Sequence, residues 1–440
     1  MSFAERAREK AVRLLRWSEH YTKTDMVYLA SGGFWLSAGY AASSLSSFAL
    51  ALVFANILDP NTYGAYRYVL AVASVLSVAV LPGIDVSLQR SVARGKEGAM
   101  FAVTWTRVRW GSIANIFAAG LALYYLLHHN TQLAAAFLAV ACCISIMDPL
   151  ACYDDLLRGR RAFRTATNLA VIGQLASTFI MMGVAVLFPS LFPIVIAYFA
   201  GWCVIRGALL IYTLRTFPPN DVQDPEAVPY GKHLTVMKGA SVIAASLGSI
   251  FLFHISAVQL AVYSIAVAPI EQMRGMLNNV ESLVLPKFSQ DSWDVWNWRT
   301  LVRKSGPLFA VLGVGIVVYV LAAPYLYAIL FHKYIAAIPY TQVWAFSLLL
   351  TALSVLLGAI LRARKEVKKL YIFNVASITS TFLFIGPLTY FYGIWGLLGA
   401  QYAVKTVETI TFCYLTSWNP RFAEKSAQSS DGENGTNANA

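Results

Sequence analysis

Charge is scarce in this chain. Lys, Arg, Asp and Glu make up 13% of its 440 residues, about half the ~25% of an ordinary globular protein. Hydrophobic residues reach 58% and mean hydropathy is +0.59. A soluble domain cannot hide that much apolar surface, and a disordered chain would be far more polar. Cysteine is scarce too. Cys142, Cys143, Cys152, Cys203 and Cys413 lie in apolar runs, without metal-ligand spacing or a C-x-x-C pair, so they read as small buried hydrophobes. A P-loop is missing, which excludes ATP hydrolysis by this chain. The net charge of +12 would point to nucleic acid in a soluble protein, but here the positions of the charges point to a membrane and no nucleic-acid partner is expected.

What the chain has instead is long apolar runs. A transmembrane helix needs about 20 such residues. Twelve runs can be placed, at 27–55, 66–89, 110–127, 132–157, 166–188, 191–213, 236–255, 257–285, 307–330, 337–361, 370–392 and 394–416. They are continuous and too long for the alternating strands of a β-barrel. With twelve spans, all but five of the 34 Lys and Arg residues fall on one side of the membrane. Only Arg67 and Lys333 fall on the other, and Arg206, Arg274 and Lys405 fall within spans. The positive-inside rule makes the basic side cytoplasmic, with both termini there. Residues 1–26 read as an interfacial amphipathic segment, with Phe3, Ala7, Leu14, Trp17 and Tyr21 at near-helical spacing. Residues 417–440 read as a disordered cytoplasmic tail.

Residues 215–235, with Pro218, Pro219, Pro225 and Pro229, form a cytoplasmic linker between a six-helix lobe at 27–214 and another at 236–416. A weak repeat crosses it: the run from Ala65 to Ala73 resembles that from Val262 onward, 197 residues later. Six is even, so both halves enter from one side and their pseudo-twofold axis lies along the membrane normal. Transporters built this way bind substrate between the halves.

Ionisable groups at bilayer depth cost at least about 2.5 kcal/mol each and need partners or an aqueous cavity. Glu271, Arg274, Asn278 and Glu281 follow one another at spacings of three and four and share one helix face. That face is either a self-paired stripe or the wall of a central cavity, and Pro269 just before it invites a kink. Gln401, Lys405 and Glu408 share another face, where Lys405 and Glu408 can pair. Asp85 follows Pro82-Gly83 and Asp148 precedes Pro149, each where backbone groups open to polar partners. Asp85, Asp148 and Glu408 are the ion-coupling candidates. Asp85, Lys405 and Arg67, the last near the outer mouth, join the stripe as candidates to bind substrate. Arg206 is close enough to the basic side to snorkel.

The second span carries a more specific signal. Phe54-Ala55-Asn56-Ile57-Leu58-Asp59-Pro60-Asn61-Thr62-Tyr63-Gly64-Ala65-Tyr66 resembles the signature of Wzx-type lipid-linked oligosaccharide flippases, polysaccharide biosynthesis proteins of the multidrug/oligosaccharidyl-lipid/polysaccharide exporter superfamily. Leu81-Pro82-Gly83-Ile84-Asp85 with Arg90-Ser91-Val92-Ala93-Arg94-Gly95, the run from Tyr153 to Phe163, and Leu283-Val284-Leu285-Pro286-Lys287-Phe288-Ser289 look like further blocks of that family. One departure stands out. Family members commonly carry an Asp-Lys pair in helix seven, where this chain has Ala245-Ser246-Leu247-Gly248-Ser249.

The resemblance implies an all-α, MATE-like membrane protein that flips a polyprenyl-diphosphate-linked oligosaccharide for cell-surface polysaccharide synthesis. It would need no covalent chemistry, metal or cofactor beyond a coupling H+ or Na+. Its partners would be the lipid-linked substrate, membrane lipids and glycan-assembly proteins. Arg and Lys could neutralise the diphosphate. A cation-coupled multidrug exporter of the same fold is the alternative. A membrane-embedded glycan polymerase or ligase fits less well, since every outer connection is short.

Overall fold

The computed structural model describes residues 26–290, 298–363 and 367–417. The interfacial segment and the tail read from the sequence lie outside these, apart from the helical end residues Met26 and Ser417. Every regular element among the described residues is helical. In chain order they are α1 (Met26–Ile57), α2 (Pro60–Leu76), α3 (Ile84–Ala93), α4 (Ala99–Leu127), α5 (Thr131–Met147), α6 (Cys152–Gly159), α7 (Phe163–Leu187), α8 (Leu191–Thr216), α9 (Ala227–Ile255), α10 (Ala257–Gln290), α11 (Trp298–Leu330), α12 (Ile338–Ala345), α13 (Ser347–Ala363) and α14 (Val367–Ser417). Among the described residues, nine helical segments are long and apolar enough to cross a membrane, and Ala41–Ile57 is a shorter apolar helix.

Several spans differ in detail from the hydropathy reading. The second starts at Pro60 rather than at 66: Asp59 caps it by accepting from the Asn61 N–H at 2.9 Å, and Pro60 suits a first helical turn. It then breaks. Pro82 disfavours helical geometry at the residue before it, Leu81 takes φ 61°, and the helix resumes as α3. The third span begins at Ala99, not 110. The fourth pauses at Pro149–Ala151 between α5 and α6. The sequence linker shortens, because α9 begins at Ala227, within the stretch read as connection. α10 is helical throughout, Pro269 included.

α14 is two helices. At Gly393 the backbone turns to φ 57°, ψ −130°, a conformation open to glycine. Ser377 and Glu408 then lie 2.6 Å apart, although a straight helix would hold them roughly 46 Å apart. The two arms therefore run antiparallel.

The halves meet along α2, α9 and α10. Gly64 packs so closely on the Ala257 backbone that any side chain there would collide. Tyr68 stacks on Phe253 with centroids 4.0 Å apart. The repeat is visible in the helix starts, Pro60 and Ala257, and in their capping residues, Asp59 and Ser256. Arg67 donates to Ser264 Oγ at 3.2 Å, and these two positions are 197 residues apart, the offset of the sequence repeat. Two positions that the sequence repeat equates are thus in direct contact.

Candidate functional site

Six helical stretches besides α2 wall a cavity of about 490 Å³. α2 contributes Arg67. α9 contributes Ser241, Ala245, Gly248 and Ser249, so the stretch that departs from the family pattern lines the wall with small residues. α10 contributes Tyr263, Glu271 and Arg274. Trp344, Ser347 and Thr351 come from α12 and α13, Ser377 and Thr381 from the first arm of α14, and Gln401, Lys405 and Glu408 from the second. Most of these residues lie three, four or eight apart on their helix, which brings each set to one helix face. Most of the wall belongs to the second half of the chain, with Arg67 reaching in from the first.

The charges are ordered by short local bonds. Lys405 Nζ donates to Glu408 Oε2 at 2.7 Å. Ser377 Oγ donates to the other carboxylate oxygen at 2.6 Å, and Ser354 Oγ approaches Oε2 at 3.4 Å. Glu408 is thus held on both oxygens and is buried. Arg274 Nη1 donates to Glu271 Oε1 at 3.2 Å, and both side chains stay open, at 33% and 43% exposure. Gln401 Nε2 donates to Tyr263 Oη at 2.7 Å. Arg67 meets the neutral Ser264 hydroxyl and has no carboxylate partner among the described residues. Among the described residues three cations therefore face two carboxylates, and their part of the wall carries a net positive charge with hydroxyls and amides around it. Such a surface can accept an anion and bond to hydroxyl-rich groups. The side chains of Asn278 and Glu281 lie outside the described residues.

Asp85 and Asp148 do not line this cavity. Each is bound by an arginine that also serves a backbone carbonyl at a proline break. Arg107, buried in α4, reaches Asp85 Oδ1 at 2.9 Å and donates Nε–H to Val80 O at 3.2 Å. Arg206 donates to Asp148 Oδ1 at 2.7 Å and to Met147 O at 2.9 Å, and its guanidinium lies over the Trp202 ring. Arg206 is thus tied inside the protein, where the sequence had it snorkelling. Thr235 and Lys238 complete the first break, accepting from the Gly83 N–H and donating to Pro82 O. Residues missed from sequence include Arg107, hidden among loop-side basics, and Ser377 and Thr381, whose i, i+4 hydroxyls on an apolar helix were a usable sign.

The regular elements among the described residues are thus all helical, with nine segments able to cross a membrane and a polar cavity walled by helix faces. The chain belongs to the polysaccharide biosynthesis protein family, whose model matches residues 29–287. Among solved structures it is similar to the lipid II flippase MurJ in an inward closed conformation, at 13% identity over 87% of each chain with a TM-score of 0.64. It is also similar to a multidrug resistance MATE family transporter of the MOP superfamily. The inward-facing form matches at 14% identity and TM-score 0.59, covering 86% of this chain and 93% of that one. The outward-facing form matches at 16% and 0.53, covering 88% and 94%. These likenesses establish the fold. No curated protein sequence matches the chain.

Proposed function

We propose that this protein flips a polyprenyl-diphosphate-linked oligosaccharide across the cytoplasmic membrane by alternating access. In this reading twelve spans form two six-helix lobes, with both termini and the linker cytoplasmic. The observation that carries it is the cavity wall: among the described residues, Arg67, Arg274 and Lys405 stand against Glu271 and Glu408, set among hydroxyl and amide groups. A diphosphate needs such cations to leave water, and a glycan needs such hydrogen-bonding groups. The lipid tail would stay in the bilayer while the headgroup crosses. Of the ion-coupling candidates, Glu408 is the one on the cavity wall; Asp85 and Asp148 are engaged by arginines at helix breaks. Glycan-assembly proteins are the natural partners of this activity.

Arg274 is the residue expected to contact the diphosphate, with Glu271 holding it when the site is empty. Arg274→Ala should abolish flipping of lipid-linked glycan in reconstituted liposomes while leaving membrane abundance unchanged. Arg274→Lys should restore part of it, because charge is kept while the planar fork is lost. Wild-type flipping by Arg274→Ala would make the α10 stripe structural. The alternative, cation-coupled drug export, calls for an acidic aromatic pocket; drug efflux without glycan flipping would favour it.

A further inference from the structure

A second cavity, of about 380 Å³, lies on the basic face of the molecule and shares no lining residue with the first. One wall is a single face of α3 and its C-terminal cap, where Ser87, Arg90, Ser91 and the capping Arg94 recur at helical spacing. The other is the end of the linker and the first turn of α9, with Asp224 and Tyr230. The wall's hydrogen bonds are made internally. Ser91 Oγ donates to Asp224 Oδ2 at 2.8 Å and Lys96 Nζ binds Oδ1 at 3.1 Å. Ser87 Oγ donates to the Ala227 carbonyl. The Ser91 hydroxyl, with Lys96 behind it, holds the Asp224 carboxyl below its ordinary range, so Asp224 is spoken for at neutral pH.

The two arginines are different. Arg90 lies over the Tyr230 ring, 4.8 Å from its centroid, and both arginines are exposed. Neither has a carboxylate within ion-pair distance among the described residues. Against them the cavity holds one further acid, Glu226, exposed at its rim. Depth is marked independently. On the neighbouring α4, Trp105 and Trp110 are 70% and 41% exposed, and Lys232, two residues beyond Tyr230, lies over the Trp110 ring at 4.8 Å. Exposed tryptophan beside lysine is the pattern of the membrane–water interface. The arginine pair therefore sits where phosphates of lipid headgroups sit.

We propose that this cavity binds a phosphate-bearing anion, supplied by an anionic phospholipid of the leaflet on the basic side. Its phosphate would bridge Arg90 and Arg94, and its glycerol would lie along Tyr230 and the neighbouring Pro229. Basic pockets at this depth recognise anionic headgroups over zwitterionic ones. Because α3 belongs to the first half of the chain and Tyr230 to the second, the bound lipid would join the two halves. The site does not depend on what the central cavity carries.

The test uses the purified full-length protein in neutral detergent, with binding followed by microscale thermophoresis. Dioctanoyl phosphatidylglycerol should bind saturably, and dioctanoyl phosphatidylcholine at the same concentration should not. Arg90→Ala with Arg94→Ala should weaken phosphatidylglycerol binding about tenfold or more, while Arg90→Lys should retain most of it. Unchanged binding by the double variant would overturn the site. Sodium pyrophosphate is the free-anion arm: if it binds as tightly as the lipid and is weakened alike, the lipid source is overturned. Should the double variant not purify as a single species, Arg94→Ala alone repeats the test, since that exposed side chain holds no described element in place.

Discussion

The molecule uses intramembrane charge in two ways. In the first half, Asp85–Arg107 and Asp148–Arg206 join different helices, and each arginine also binds a carbonyl freed at a proline break. In the second half, Glu271–Arg274 and Lys405–Glu408 are i,i+3 pairs, each within one helix. An interhelical pair cannot open without parting two helices and stranding a buried carbonyl. A pair on one helix face can exchange its internal partner for a ligand with side-chain rotation alone. The first kind fixes the scaffold, and the second leaves charge available to the cavity.

The sharpest break of this comparison is at Arg107. Its side chain is 6% exposed and serves both Asp85 and the Val80 carbonyl. Arg107→Met should strand both groups and destabilise the protein by about 3–5 kcal/mol, the usual cost of breaking a buried pair. The check is thermal unfolding and membrane abundance, and the double variant Arg107→Met with Asp85→Asn should recover only part of the loss, because the carbonyl stays unserved. Full recovery would mean that the backbone bond is immaterial and that Arg107 is an ordinary ion-pair partner.

The Lys405–Glu408 pair should behave differently. Lys405→Met removes one partner of a carboxylate still held by Ser377 and Ser354, so the expected loss is smaller, about 2 kcal/mol. Lys405→Met with Glu408→Gln should be nearly as stable as the parent. Flipping then separates the two roles of Lys405. A stable double variant that flips normally makes the pair structural, whereas a stable but inactive one puts Lys405 on the phosphate. Lining the cavity, the pair is placed for either role, and the assay decides between them.

Much of this contrast could be read from sequence, and the part that could not has a physical cause. Long apolar runs located the helices because hydrocarbon tolerates few charges. The i,i+3 pairs were legible because helix geometry is local. The interhelical pairs were not: Arg107 is 22 residues from Asp85 and looked like one more basic residue beside a loop. The start of the second span was missed for a different reason. Hydropathy sees Asp59-Pro60-Asn61 as polar, although an Asp cap followed by Pro is a helix-start signal in its own right. The cavity's composition from one half plus Arg67 depends on how α9, α10 and the arms of α14 pack, which no local pattern records. The 197-residue offset was the one long-range clue, and the Arg67–Ser264 contact gives it spatial meaning.

The smallest expected effect concerns charge outside the membrane, where water weakens every pair. The linker is clasped to the first half. Arg160 binds both Glu97 oxygens at 2.6 Å and the carbonyls of Phe217 and Pro218, Asn220 exchanges bonds with Glu97, and Lys96 holds Asp224. Hydrogen bonds from Arg160 lower Glu97 below its ordinary 4.5, and the Ser91 hydroxyl, then Lys96, lower Asp224 below 3.8. Carboxyls depressed in the folded state add stability above their unfolded values and lose it as pH falls through the folded ones. The clasp should therefore be constant from pH 7 to 5 and loosen only below about 4. Amide exchange over residues 217–226, corrected for its intrinsic pH dependence, should show that profile. Glu97→Gln should lose part of the protection already at pH 7, since the bidentate contact to Arg160 needs both carboxylate oxygens. Loss of protection between pH 7 and 5 in the parent protein would show that some group other than these carboxyls governs the linker.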